Sequence, residues 1–353
     1  MQYLRLLLLP FSLLYGLVIW CRNMAYDLGL FQSRKFNLPI ICVGNLAVGG
    51  AGKTPMTEYL IRLLGNKYRT AVLSRGYGRK VKGFRLVEFT DTPLEAGDEP
   101  LQFRRKFKNI TVAVSEKRAT GIEILQDKHH LIILDDAFQH RAVKAGLNIL
   151  LFDYTRLFEP LVVLPAGNLR DSFSQRARAN LIVITKTPEH LTAEQREAAI
   201  RRIRPLDTQK VFFSYLSYGS LRPVFKVEQA AVPSIESQST IFLLTGIANP
   251  YPLLTRLEEA AAKVIHHDYP DHHVFSKKNI AKLAEAFKSD PAEEKLIVTT
   301  EKDAQRLGVP ELEELLKDLP VYYLPVEAKF HQAEEELFNS VIEAYVTRDL
   351  QHN

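Results

Sequence analysis

Residues 40 to 64, IICVGNLAVGGAGKTPMTEYLIRLL, restrict what this chain can become more than any other stretch. Ile40 to Val43 is a short, largely β-branched run of the length of a buried strand. It opens into Ala47, Val48, Gly49, Gly50, Ala51, Gly52, Lys53 and Thr54, a phosphate-binding loop with Ala in the first glycine position. A helix follows, with apolar residues at Met56, Leu60, Leu63 and Leu64. Pro55 is tolerated because first-turn N–H groups have no intrahelical partner. The glycines let backbone N–H groups close around phosphate oxygens, and the helix N-terminus adds partial positive charge. Lys53 is placed to reach the β/γ-phosphates and Thr54 to ligate Mg²⁺. A glycine-rich turn before an ordinary helix is the plainer alternative; strand, loop, Gly-Lys-Thr and helix in this order argue against it. The expected cofactors are ATP and Mg²⁺.

At 353 residues the chain can bury a substantial core and is long enough for two domains. Its 46% hydrophobic and 25% charged residues are ordinary for a folded protein and exclude collagen-like or disordered classes. With only Cys21 and Cys42, no disulfide framework or Cys-based zinc site is available, which together with an ATP site suggests a reducing cytosolic environment. The net charge of +5 is uneven: residues 22–118 are strongly basic and the remainder net acidic. A basic half with a phosphate loop suits nucleic acid, an anionic membrane surface or a phosphorylated substrate. No recognition helix, zinc finger or RNA-binding aromatic signature accompanies it, so no nucleic-acid partner is expected.

Residues 3–20, YLRLLLLPFSLLYGLVIW, are the most apolar part of the chain. A cleaved signal peptide lacks its small-x-small site, and Trp20 before Cys21 spoils a lipoprotein box. A spanning helix needs about 20 apolar residues, and this run is barely that long and carries Pro10. An interfacial helix fits best, with Arg22, Arg34 and Lys35 placed to meet anionic headgroups. An ordinary core helix is the other reading.

Beyond the phosphate loop, Thr70 to Ser74 reads as a strand ending in Arg75, Gly76, Tyr77, Gly78, Arg79 and Lys80, either an anion-facing loop or a solvated basic one. Phe84 to Phe89 reads as another strand, followed by the turn Ala96-Gly97-Asp98-Glu99-Pro100. Leu131 to Leu134, ending in Asp135 and Asp136, is a Walker B pattern that delivers carboxylates to Mg²⁺ at a sheet edge. Gln139 and His140 add polar groups nearby. Apolar strands at Asn148 to Asp153 and Leu181 to Thr185 flank a loop, Leu164 to Asp171. Residues 211–227 hold two candidate strands, VFFSYLSY and PVFKV about Gly219, and read as a connector, after which the α/β pattern restarts at Ile241. Val321 to Leu324 reads as the last strand, before a helix near Gln332 to Thr347. His266 to His273 holds four histidines and two acids, but at no recognised metal-ligand spacing.

Taken together the motifs resemble one family, the tetraacyldisaccharide 4′-kinases of lipid A biosynthesis. The resemblance runs through most of the chain. It rests on Val43-Gly44-Asn45 into Gly-Gly-Ala-Gly-Lys-Thr-Pro, Ser74 to Gly78, Gly97 to Pro100, Asp135-Asp136-x-x-Gln139-His140, Leu164 to Gly167, Asp271-His272 and Thr300-Glu301-Lys302-Asp303. Two departures stand out: Ala137 replaces the usual Gly after the paired acids, and Asp171 replaces the usual Glu. The resemblance implies a peripheral enzyme at the cytoplasmic face of the bacterial inner membrane. It would move the ATP γ-phosphate to the 4′-hydroxyl of a lipid A disaccharide 1-phosphate precursor. The implied α/β fold has a P-loop kinase domain with a mainly parallel sheet, a second smaller α/β/α domain, a two-stranded linker and an N-terminal membrane-associating helix. The expected divisions are 1–35 for the helical segment, 36–210 for the kinase domain, 211–240 for the linker and 241–353 for the C-terminal domain. Lys53 with Asp98 and His272 would be catalytic, the latter two as a dyad across the domain cleft. Thr54, Asp135 and Asp136 would hold the metal, and Arg75, Tyr77, Gln139, His140 and Asp171 would meet the acceptor. A rival class, the membrane-associated ATPase switches of the partitioning type, uses a related loop whose first Lys reaches across a dimer. Val48 stands at that position here. Dependence of ATP turnover on a lipid-saccharide acceptor separates the two.

Overall fold

The computed structural model describes residue 5 and residues 7–225 and 233–352. Helix α1 (Leu9–Asp27) precedes strand β1 (Ile40–Asn45), α2 (Lys53–Leu64), β2 (Thr70–Ser74) and the short β3 (Arg85–Leu86). Helices α3 (Pro93–Ala96) and α4 (Asp98–Lys106) follow, then β4 (Thr111–Val114), α5 (Arg118–Leu125), β5 (Leu131–Asp135), β6 (Leu147–Asp153) and β7 (Leu181–Thr185). Next come α6 (Ala193–Ile203), β8 (Lys210–Tyr218) and β9 (Arg222–Pro223). The second half runs β10 (Thr240–Thr245), α7 (Tyr251–Ala260), β11 (Lys263–Asp268), α8 (Lys277–Ser289), β12 (Lys295–Thr300) and α9 (Glu301–Leu307). It closes with α10 (Pro310–Leu316), β13 (Val321–Leu324), β14 (Val326–Phe330) and α11 (Gln332–His352).

Nine strands form one sheet in the order β14-β8-β7-β6-β1-β5-β2-β4-β3, parallel except for the two edge strands. All six residues of β1 and all five of β5 are buried, as expected of strands covered on both faces. Alternation sends Ile41, Val43, Leu131 and Ile133 to one face, against Met56, Leu60 and Leu64 of α2. Ile40, Cys42, Ile132 and Leu134 go to the other, against Ile122 of α5 and Ile203 of α6. Five strands form a second sheet, β11-β10-β12-β13-β9, with only β9 antiparallel. In each sheet the strand order reverses about the first strand of the unit, β1 or β10. Ligands of open α/β sheets bind outside the carboxyl ends of strands at such switch points.

Three expectations need correction. Residues 211–240 are not all connector: β8 is an integral strand, paired with β7 on one side and β14 on the other. Residues 226–232 of that expected linker lie outside the described residues. Nor does the second unit extend to residue 353. Val326 to Phe330 returns to pair antiparallel with Ser214 to Tyr218, and α11 buries Phe338, Ile342 and Val346 in the first unit's core. The driving force is aromatic packing: Phe330 stacks on Phe338 at 4.3 Å, and Phe212 meets Phe338 edge-on at 5.2 Å. β8 and β14 are thus the paired strands by which the chain leaves the first unit and comes back. The strand expected over Phe84 to Phe89 shrinks to two residues. Strand β11 reaches into the histidine-rich stretch and takes in His266, His267 and Asp268.

Helix α1 inverts the usual polarity of a surface helix. Its buried residues are Ser12, Ile19 and Asn23, while Leu13, Leu14, Leu17, Val18 and Trp20 are exposed. Among the described residues no helix is long and apolar enough to cross a membrane.

Phe338→Ala is expected to destabilise the first unit by about 3–5 kcal/mol, the usual cost of truncating a buried Phe. Chemical denaturation checks this, and a loss below about 1 kcal/mol would place α11 outside that core.

Candidate active site

The phosphate loop leaves β1 and is braced on both flanks. Val48 N donates to Asn168 O at 2.8 Å, Arg156 Nη1 donates to Val48 O at 3.1 Å, and Thr185 Oγ1 donates to Ala51 O at 2.9 Å. Gly52 caps α2 with φ 79°, a conformation that disfavours a side chain. Lys53 follows as the first helical residue, and its ammonium donates to Asn45 Oδ1 at 3.2 Å and lies 3.8 Å from Asp136. Burial lowers the Lys53 pKa, with the Arg170 guanidinium acting the same way against the pull of Asp136. Gly49, Gly50 and Thr54 complete the loop and the first turn of α2.

The two acids at the end of β5 are in different electrostatic states. Asp135 is buried and its carboxyl is pushed up to about 6, first by burial and then by Asp136 and Glu99. Among the described residues its oxygens accept only hydroxyl hydrogen bonds, from Thr57 at 3.3 Å and Ser74 at 3.0 Å. Asp136, at φ 47°, is held by both terminal nitrogens of Arg170, with Nη1 3.1 Å from Oδ2. Burial would raise its pKa, but Lys53 and Arg170 keep it below the usual carboxylate range. A buried carboxylate bonded by hydroxyl groups rather than by a cation is a hard-oxygen donor that fits Mg²⁺, and the Thr54 hydroxyl of the loop is of the same kind. Asp135 answers that description better than Asp136.

The second half of the site comes from across the chain. Gly97, at φ 92°, lets the backbone approach Tyr77 and Gly76 so closely that a Cβ would sit 3.1 Å from Tyr77 O. That turn starts α4 at Asp98. Asp98 Oδ2 lies 2.9 Å from His272 Nδ1 and 2.5 Å from Arg306 Nη2, so the residue pair named from opposite units is in direct contact. Burial opposes ionisation of Asp98, yet the bonds from His272 and Arg306 hold its pKa down at about 2. Lys302 Nζ lies 3.2 Å from His272 Nε2 and 2.7 Å from Glu99. With Lys302 donating to Nε2, the Nδ1–H tautomer donates to Asp98. Glu99 also acts on Lys53 and Asp135 through space, so both halves form one electrostatic cluster.

Arg75 and Tyr77 are exposed in the loop after β2, and the Tyr77 ring lies 5.1 Å from that of His272. Gln139 is engaged in bracing: its side-chain amide donates to Asn45 O at 2.8 Å and its backbone carbonyl accepts from Arg22 of α1 at 2.7 Å. His140 is lowered to about 4 by burial and by Arg118, Arg22 and Arg75, which leaves it neutral at pH 7 amid three guanidinium groups. Asp171, expected to meet the acceptor, is bonded to the N-terminal helix. It is 1% exposed, accepts from Asn23 of α1 at 2.8 Å, and so fastens that helix to the site. Among the described residues no group of three His, Cys, Asp or Glu is arranged to hold a metal, the His266 to His273 stretch included. Sequence reasoning missed Asn45, Arg170 and Arg306. Only the neighbouring motifs, Val43-Gly44-Asn45 and Thr300 to Asp303, hinted at the first and last.

A phosphate loop, two carboxylates at the end of β5 of which Asp135 is buried, and a second unit bringing a histidine to an aspartate define a P-loop phosphotransferase. Comparison with known proteins agrees. The sequence model of the family described as tetraacyldisaccharide-1-P 4′-kinase matches residues 4–346. A tetraacyldisaccharide 4′-kinase of Bacteroides fragilis is 44% identical over 96% of this chain and 92% of its own length. One from Flavobacterium johnsoniae is 42% identical over 99% of this chain and 100% of its own. The crystal structure of LpxK from Aquifex aeolicus in complex with ATP superposes with a TM-score of 0.73 at 29% identity, over 97% of this chain and 99% of that one. The chain belongs to the tetraacyldisaccharide 4′-kinase family.

Lys53→Ala is expected to abolish phosphoryl transfer, since Lys53 is the ammonium that the loop itself carries to the β/γ-phosphates, while the melting temperature stays close to wild type. An enzyme that keeps its turnover after that change would remove Lys53 from catalysis.

Proposed function

We propose that this kinase transfers the γ-phosphate of ATP to the 4′-hydroxyl of a tetraacyldisaccharide 1-phosphate, the lipid A precursor, at the cytoplasmic face of the inner membrane. The observation that carries the mechanism is the Asp98–His272 contact beside the phosphate loop. Phosphoryl transfer needs alignment and charge neutralisation more than covalent help. The loop amides and Lys53 cradle the phosphates, with Arg170 and Asn45 fixing the position of Lys53 and Asp136. Thr54 and Asp135, with Asp136 beside them, would hold Mg²⁺, which neutralises charge on the transferred phosphoryl group.

Asp98 receives the proton of the 4′-hydroxyl. Both His272 and Arg306 bond to Oδ2, which leaves Oδ1 as the oxygen to accept it. A pKa near 2 makes Asp98 a weak base, which suits a loose transition state in which the hydroxyl loses its proton late. His272 fixes the carboxylate, and its Nε2 is held in turn by Lys302. The guanidinium groups of Arg22, Arg75 and Arg118 around neutral His140 make a basin of positive potential suited to the acceptor's 1-phosphate. The exposed apolar face of α1 lies in the interface while its polar residues grip the enzyme.

Asp98→Ala and His272→Ala should each lower kcat by about 10²–10⁴ with modest change in KM for ATP. The double variant should be scarcely worse than the worse single one, as for residues acting as a unit. Steady-state assays with ATP and a lipid A precursor read this directly, and multiplicative losses would separate the two residues. For the membrane role, removal of residues 1–21 should shift the protein from the membrane to the soluble fraction on sedimentation. Unchanged partitioning would dissociate α1 from anchoring.

A further inference from the structure

The contact between the two units is more than the Asp98–His272 pair. Helix α4 of the first unit lies against α9 of the second, and the two meet through side chains of opposite charge. Asp98 pairs with Arg306 and Glu99 with Lys302. Arg105 donates to Gln305 at 3.0 Å. At the far end, Lys106 Nζ sits between two carboxylates, 2.7 Å from Glu58 and 2.8 Å from Glu301. All three side chains are withdrawn from solvent, at 13% exposure for Lys106, 1% for Glu58 and 6% for Glu301.

The position of these three residues matters more than their number. Glu58 is on α2, the helix that begins at Lys53 of the phosphate loop. Glu301 begins α9, whose Lys302 and Arg306 hold His272 and Asp98. Lys106 therefore ties the nucleotide-side helix to the helix that completes the acceptor side. Gln102 donates to Glu58 at 2.8 Å, and Arg62, 3.7 Å from Glu58 and 3.3 Å from Glu327, is the other cation nearby. Neither Gln102 nor Arg62 is in contact with Glu301, so the bridge between units falls to Lys106 among these groups. Burial and the negative charge of Glu301 raise Glu58 to about 7, against the pull of the Lys106 ammonium that sits between the two carboxylates.

We propose that Lys106 is a positioning residue: by bridging Glu58 and Glu301 it keeps the second unit closed on the first and so holds His272 and Arg306 on the Asp98 carboxylate. This rests on the reading of Asp98 and His272 as the acceptor-activating pair. Without Lys106, Glu301 loses the ammonium that links it to Glu58, and α9 loses this hold on α2 and α4. Misplacement of a catalytic group by about 1 Å costs on the order of 10²-fold in rate. ATP itself is held by the loop, which Lys106 does not touch, so the loss falls on kcat.

The test uses the full chain with ATP and a lipid A precursor, and reads kcat, KM for ATP and thermal unfolding. Lys106→Met is expected to lower kcat about 10–100-fold with little change in KM for ATP. Lys106→Arg keeps the bridging charge and is expected to retain most of the rate. The triple variant Glu58→Gln, Lys106→Met, Glu301→Gln removes the buried charges together. It is expected to recover the wild-type melting temperature but not the wild-type kcat, and it decides the matter even if Lys106→Met alone fails to fold. A Lys106→Met enzyme of wild-type kcat, or a triple variant that regains rate along with stability, overturns the proposal. In a His272→Ala background Lys106→Met is expected to add little, because both act on one alignment. The full factor in that background overturns the route through the pair. A His272→Ala single variant of wild-type rate overturns the pair itself, and the proposal with it.

Discussion

The buried carboxylate of Asp98 is the constraint on which the rest of the site depends. A lone ionised carboxylate at this depth would be costly. It is ionised here because the second unit supplies His272 and Arg306 to the same oxygen. Neither unit makes a complete site by itself: the first carries the phosphate loop and the acid, the second the groups that keep that acid charged. The switch-point crevices of the two sheets explain why these groups can meet. Asp98 follows the glycine turn beside the loop after β2, while His272 follows β11 and Arg306 lies on the helix that follows β12.

A second line of contacts runs from α1 to the phosphate loop. Ser12 donates to Val163 O and accepts from Ala166 N, and Asn23 donates to Asp171. The loop that receives those bonds reaches Val48 through Asn168 O and Asn45 through Arg170. The helix thus turns its polar residues toward the nucleotide side and its leucines outward. An ordinary core helix does the opposite, and this inversion is the physical reason to read α1 as a surface made for an apolar environment.

Much of this was legible in the residues because certain motifs allow few alternatives. A buried β-branched strand running into Gly-Lys-Thr and a helix has one common use, and Leu131 to Asp136 reads as its partner strand. The return of β14 was not legible. Val-Glu-Ala-Lys-Phe is a short alternating run whose partner, β8, lies far back in the chain, and antiparallel edge pairing leaves no local mark. Asp98 and His272 were singled out only through the family resemblance, since a turn with two acids and a loop with four histidines each fit many structures. Arg170 and Arg306 were missed because one arginine in a charged segment looks like any other until its partner is seen. The bond from Asn23 to Asp171 was not legible either, because a carboxylate reads alike whether it faces a cleft or an asparagine of α1.

The central claim is that the acceptor hydroxyl is activated by a carboxylate whose state is set from the opposite unit. A crystal structure of the enzyme with a non-hydrolysable ATP analogue and the acceptor disaccharide tests it most directly. The account predicts the 4′-hydroxyl within hydrogen-bond distance, about 3 Å, of Asp98 Oδ1, with His272 and Arg306 still on Oδ2. A ternary complex in which the hydroxyl meets another side chain, or in which Asp98 has parted from His272 and Arg306, would contradict it.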